Sequence, residues 1–295
     1  MNSTTEINHE KLMELFGSVF NDVAGSMAIM MSYLGDQTGV YRAMDKLGPA
    51  SVEEIAKESN VDERYLLEWL SSNSGRGYVT YHDDEEKFSL SPEQAAVFAR
   101  ENEPTCIQGL VQGVVGQFVK EDIAVDVFQT GRGRPWGEHH ECCFCGTERF
   151  FRPAYAGHLL DEWIPAMEGV EDKLKKGAKV ADIGCGLGTS SMLMAEQYPN
   201  STIHAFDFHG PSIDEAKKRA AEKGLDNLEF FVSDAAAIPN ESYDLACIFD
   251  AWHDMGDPVG VAKSIKDTLA DDGTFMVVEP MALDGLKNNI ENNPS

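Results

Sequence analysis

The sequence predicts an α/β protein: a doubly wound parallel sheet toward the carboxyl terminus, preceded by a smaller, mostly helical module. Three observations predict it. Residues 180 to 188 read Val-Ala-Asp-Ile-Gly-Cys-Gly-Leu-Gly, a short apolar run entering three glycines at alternate positions. Further apolar runs follow at residues 202–207, 228–232, 243–250 and 274–279, each separated from the next by a helix-compatible segment. Such alternation is the pattern of parallel strands covered on both faces. Residues 1–100 instead carry helical periodicities closed by two short strands around an acidic turn.

The elements follow in order. Met13 to Leu34 reads as a helix rich in Met, Ala, Phe and Val, more apolar than an isolated surface helix, which suggests burial against a second copy of the chain. Residues 36–47, 51–56 and 61–70 read as further helices, and Ser51 with Glu54 forms a capping box. Strands at 77–81 and 87–90 flank the acidic turn. Helix, helix and hairpin make a winged helix. Its second helix carries Asp62, Glu63 and Glu68 against Arg64, and its wing carries Asp83, Asp84, Glu85 and Glu86. Phosphate would be repelled at both places, so a nucleic-acid role is excluded on charge.

In the carboxyl-terminal half, the strand at 180–183 turns through Gly184, Gly186 and Gly188 into a helix at 189–196. Asp257-Pro258 starts another helix, with Asp as cap and Pro at the first helical position. Val261, Ile265 and Leu269 give it a core face, and Asp271-Asp272-Gly273 is expected to end it with a left-handed glycine. Right-handed crossovers then place the ligand crevice at the strand carboxyl ends, between the first and fourth strands.

The glycine turn lets backbone approach a ligand closely. A dinucleotide site wants Gly-x-Gly-x-x-Gly, but here the third glycine arrives one residue early and position 189 is Thr. No Gly-Lys-Ser/Thr follows either. The remaining pattern, Asp182 and then Gly-x-Gly-x-Gly, resembles motif I of the class I S-adenosylmethionine-dependent methyltransferases, whose sheet is Rossmann-like. The resemblance implies S-adenosyl-L-methionine as cofactor, with Gly184, Gly186 and Gly188 curling under its methionine part and Asp182 near its ammonium. Asp207 lies 23 residues past Gly184, placed to accept from both ribose hydroxyls, or alternatively to cap the next helix. Phe208 either lies on the adenine face or packs. Asp234 inherits contact with the adenine amino group, or forms a turn; Ala235 and Asp250 join the cofactor set.

The segment Trp252-His253-Asp254-Met255-Gly256-Asp257 resembles the region after strand four of small-molecule O-methyltransferases, where a His in a His-Asp-Trp-x-Asp context is the general base. His253 takes that role here, the other reading being a His that packs or bonds to backbone. Met255 departs from the family's Trp. A segment at 131–155 gathers Trp136, His139, His140 and Tyr155, which with Trp252 are candidate acceptor contacts, or else a domain-packing linker. Residues 12 to 281 resemble a bacterial family of two-domain methyltransferases with an N-terminal winged helix, the match being close at residues 146–153 and 253–258. That family's winged helix implies a homodimer. Its domains would run 1–100, 101–176 as helical linker, 177–281 for the cofactor, and 282–295 as polar tail.

Composition bounds the rest. With 24 basic against 50 acidic residues and a net charge of −26, an anionic membrane or nucleic acid is excluded as partner. The polar first ten residues show no signal peptide, so a cytoplasmic protein acting on a small molecule is expected. Cys142-x-x-Cys145 offers half of a zinc knuckle without a second pair, and no metal is expected. Class I methyltransferases continue past strand five with a helix and an antiparallel hairpin. The polar stretch 285–295 cannot supply them, so strands six and seven are expected to be missing, leaving a partial product with an exposed edge. A dehydrogenase, and a cofactor-binding regulator or pseudo-enzyme without turnover, are the competing classes.

Overall fold

The computed structural model describes residues 7–292. The chain divides into two compact units, one reaching to Pro153 and the second beginning at Ala154.

The first unit opens with α1 (His9–Gln37), capped by the Asn8 side chain, which accepts from Lys11 N. After Gly39 come α2 (Val40–Leu47), α3 (Val52–Ser59) and α4 (Glu63–Gly75), then the hairpin β1 (Thr80–His82) and β2 (Lys87–Ser89). The expected capping box at Ser51 and Glu54 is present. Ala50 bridges Phe88, stitching the wing to the loop before α3. The core beneath is aromatic: the Tyr41 ring meets Trp69 at 4.9 Å and Phe98 at 5.0 Å, with Met44, Ile55 and Leu70 fully buried around them. Each such side chain is worth roughly 1.5–3 kcal/mol of burial. Helix α5 (Pro92–Phe98) leads to α6 (Gln108–Val119), α7 (Glu121–Thr130) and α8 (Glu141–Ala154). Gly109 on α6 and Gly146 on α8 let the two helix backbones approach so closely that a Cβ on either would lie within 2.6 Å of the other helix's backbone. Arg149 on α8 ties this packing to α1 through both oxygens of buried Asp36, at 2.9 and 3.0 Å, and to Glu101 and Gln112.

The second unit begins in a π-helical segment, Tyr155–Trp163, two residues past Pro153, whose missing N–H already disturbs the end of α8. Then α9 (Val170–Lys176), β3 (Lys179–Ile183), α10 (Thr189–Gln197), β4 (Thr202–Asp207), α11 (Gly210–Lys223), β5 (Leu228–Val232), β6 (Tyr243–Phe249), α12 (Pro258–Thr268), β7 (Leu269–Val278) and α13 (Leu286–Asn292) follow. All five strands are parallel in the order β5-β4-β3-β6-β7. The order reverses between β3 and β6, which opens a crevice where the chain leaves their carboxyl ends. Central β3 and β6 are buried almost throughout, as their continuous apolar runs require.

Two expectations are corrected. Leu269 is not on α12, and Gly273 is not a left-handed helix stop: α12 ends at Thr268, and Leu269 opens β7 opposite Tyr243. The register then jumps, Leu245 facing Thr274, so residues 270–273 bulge out of the ladder. Gly273 is needed there because a Cβ would lie 2.6 Å from the Tyr243 carbonyl oxygen. Among the described residues no further strand pairs with β7, which forms one edge of the sheet.

Candidate active site

Every strand of the second unit delivers its last residue to one edge, and the sequence-derived candidates of that unit gather there. At β3 the glycine turn is shaped by its surroundings. A Cβ on Gly184 would lie 2.8 Å from Ala251, and one on Gly188 would lie 2.7 Å from the Phe230 ring. At Gly186, φ is +54° and nothing lies within 4 Å of an added Cβ. The turn is packed behind and clear in front. Asp207 at the end of β4 accepts from Gly186 N at 2.9 Å and from His209 N at 2.8 Å, fixing the carboxylate against the turn. It does not cap α11, whose cap is His209. Phe208 beside it is 54% exposed. After β5, Asp234 accepts from Ala236 N and starts the short turn containing Ala235, so the turn-forming role expected as its alternative is present.

Asp182 lies behind the turn. It is fully buried in β3, and its Oδ2 accepts from the Ser190 and Ser191 hydroxyls at 2.7 and 2.5 Å. The side chain thereby braces β3 against the start of α10. Burial pushes its carboxyl up to about 6, against the lowering effect of the two serines and with a further rise from Asp207. Its Oδ1 is buried without a hydrogen-bond partner.

The ends of β6 and β7 hold the second half of the site. Asp250 has φ +51°, and its N–H donates to the Val278 carbonyl at 2.8 Å. Three residues on, His253 Nδ1 hydrogen-bonds Oε2 of Glu279, the first residue past β7. Glu279 is itself held, its Oε1 accepting from Ala251 N at 3.1 Å and Trp252 N at 2.7 Å. His253 Nε2 lies 3.6 Å from Asp254 Oδ1. Partial burial would lower the His253 pKa, but the Glu279 hydrogen bond and the charges of Asp254, Glu279 and Asp250 outweigh it and raise it. Burial likewise pushes Asp250 up to about 6, helped by the negative charges of Glu279 and Asp254 and opposed by His253. The ligand-type atoms of Asp250, His253 and Glu279 all lie within 4.8 Å of one another, compact enough for a cation, although the hydrogen bond already engages two of them.

Glu279 was missed by sequence reasoning. It stands 26 residues from its partner, and the only available signal was a carboxylate at the end of the fifth strand. Trp252 packs on Phe275 and donates its indole N–H to the Pro258 carbonyl at 3.0 Å, so that N–H is committed to the loop itself. Of the remaining acceptor candidates, Tyr155 is buried against Phe249 in the second unit. Trp136, His139 and His140 belong to the first unit, where the Trp136 ring meets His139 at 5.2 Å and His140 Nδ1 accepts from Cys142 N.

Residues 174–295 match the family described as methyltransferase domain, and residues 25–100 match the Rv2258c-like winged HTH domain. The chain carries a methyltransferase domain behind a winged helix. Over 175 residues it is 29% identical to the sterol 24-C-methyltransferase erg-4 of Neurospora crassa, covering 58% of this chain and 43% of that protein. The chain thus spans less than half the length of that curated relative. The mitomycin 7-O-methyltransferase MmcR has the same fold, with a TM-score of 0.69 at 15% identity over 94% of this chain and 84% of the other. So does human N-acetylserotonin methyltransferase, solved in complex with SAM, at 0.64 and 16% over 93% and 81%. No helix among the described residues is long and apolar enough to cross a membrane.

Proposed function

We propose that this chain transfers a methyl group from S-adenosylmethionine to an oxygen of a small-molecule acceptor, with His253 as general base. The observation that carries the reading is the His253–Glu279 pair on the same sheet edge as the glycine turn. The cofactor fits what the residues offer: an open face at Gly186, a carboxylate pinned at Asp207 for a diol, and exposed Phe208 for a planar ring. Gly184 and Gly188 hold the turn in place beneath it, while Asp234 and Ala235, in the short turn after β5, would border the nucleoside. The SAM complex of the human neighbour and the oxygen specificity in the name of the mitomycin enzyme support the same choice.

S-adenosylmethionine, when bound, supplies a methyl carbon on a positively charged sulfur. Glu279 holds the His253 proton at Nδ1, which leaves the Nε2 lone pair for the acceptor. With the methyl group so supplied, His253 Nε2 would take the proton of the acceptor hydroxyl and leave its oxygen as the nucleophile. Glu279 then faces a protonated imidazole, an arrangement that steadies the charge.

A further part of the proposal is a homodimer. Phe16, Val19, Phe20, Val23 and Met27 on α1 are all more than half exposed, an apolar face that a second copy would cover. The acidic second helix and wing support an enzyme that meets no nucleic acid.

Transfer of a labelled methyl group to a panel of phenols and alcohols tests the activity. His253→Ala is expected to lower turnover at least a hundredfold while cofactor affinity stays within roughly threefold. Equal loss of both would refute the general-base role.

A further inference from the structure

The charge of the sheet edge says what kind of acceptor His253 can meet. Residues 184–188, 208–209, 233–234, 250–257 and 279–285, the segments leaving the five carboxyl ends, contain no Lys or Arg. The basic side chains of the second unit lie outside these segments: Lys173 to Lys179 before or at the start of β3, at the opposite edge, and the others within α11, α12 and α13. Several are already paired, Lys173 with Asp272, Lys179 with Glu241 and Lys223 with Glu196. Around His253, by contrast, stand Asp250, Asp254 and Glu279. Glu279 is answered by His253 and two backbone N–H groups, whereas Asp254, 65% exposed, lies 3.6 Å from the imidazole and among the described residues has no Lys or Arg partner. The Asp250 carboxyl is raised chiefly by burial, with smaller contributions from the charges of Glu279 and Asp254.

We propose that the acceptor is a hydroxyl compound carrying a protonated amine, and that Asp254 together with Asp250 selects that charge and rejects carboxylate- or phosphate-bearing acceptors. This rests on the reading of the site as a methyl-transfer centre and narrows its substrate class. A carboxylate brought between exposed Asp254 and partly buried Asp250 would face like charge, whereas an ammonium would face two opposite charges. Within a few ångströms such a difference is worth roughly tenfold or more in affinity.

Three phenols of matched size test it: tyramine, 4-ethylphenol and 3-(4-hydroxyphenyl)propionate, titrated into the full chain saturated with S-adenosylhomocysteine. Tryptophan fluorescence, to which Trp252 contributes, reports binding, and labelled methyl transfer is followed in parallel. Tyramine is expected to bind roughly tenfold more tightly than the propionate, with 4-ethylphenol between them. In Asp254→Asn the spread is expected to shrink at least threefold. A flat or inverted ranking, or no tyramine binding up to 10 mM on the order of ordinary weak-ligand limits, overturns the inference. Failure of S-adenosylhomocysteine itself to bind would instead overturn the cofactor reading, so the two failures are told apart.

Discussion

At the end of β3 the glycine turn is braced from the helix that follows and from the adjacent strand: Asp182 Oδ2 by Ser190 and Ser191, Gly186 N–H by Asp207. At the ends of β6 and β7 the groups that matter come from opposite sides of α12 and crowd negative charge around one imidazole. The first region is built by backbone shape and burial, the second by side chains meeting across the fold. Substitutions should therefore fail differently in the two places, through packing in one and through proton position in the other.

The largest effect is expected from Gly188→Ala. Its φ of +77° disfavours any side chain, and the new Cβ would lie 2.7 Å from the ring of buried Phe230 and 3.2 Å from Ala216. Strain and overpacking together should cost about 2–5 kcal/mol. Gly186→Ala meets open space and carries only the strain of its φ, about 1–2 kcal/mol. Urea unfolding of both variants checks the contrast. Equal losses would mean that packing behind the turn contributes nothing.

Next in size is Glu279→Gln. The amide would donate to His253 Nδ1 where the carboxylate accepts, moving the imidazole proton to Nε2, the atom that must be vacant. Turnover should fall roughly tenfold to hundredfold with cofactor affinity unchanged. The pH dependence sharpens the point. A base is active only when unprotonated, and the His253 pKa is raised, so the parent's rate should climb with pH and level off above the ordinary histidine range. Losing the Glu279 hydrogen bond and charge should move the rise to lower pH. A profile that stays where it was would remove Glu279 from the account.

The same contrast explains what could be read in advance. The doubly wound sheet, the glycine turn, the Asp257-Pro258 helix start and the Ser51 capping box are local patterns, and each is present in the structure. Asp207 was legible because strand adjacency fixes where a carboxylate at the end of β4 must stand. The depth of Asp182 was not legible because spacing alone does not show it: its neighbours Ser190 and Ser191 lie on α10, which covers it. Glu279 was invisible because the partnership with His253 depends on β6 and β7 pairing in one register. The bulge at 270–273 was missed for the same reason, since Asp271-Asp272-Gly273 reads locally as a helix stop.

The smallest effect should come from Asp182→Asn, and its sign depends on pH. The folded chain holds this proton more tightly than the unfolded chain, with a pKa near 6 against an ordinary value of 3.8. The group therefore favours folding most at low pH, and that contribution is lost as pH rises through about 6, where a charge must be kept in the buried brace. Asparagine never carries that charge, and its Oδ1 can still accept from both serines. Its amide N–H groups, set where Oδ1 of Asp182 has no partner, cost the same at every pH. The unfolding temperature of the variant relative to the parent should thus rise by about 2–4 °C between pH 4.5 and pH 8. A difference that is constant or falls over that range would mean that Asp182 is neutralised by a partner, and that the glycine turn and the His253 cluster share one kind of electrostatics after all.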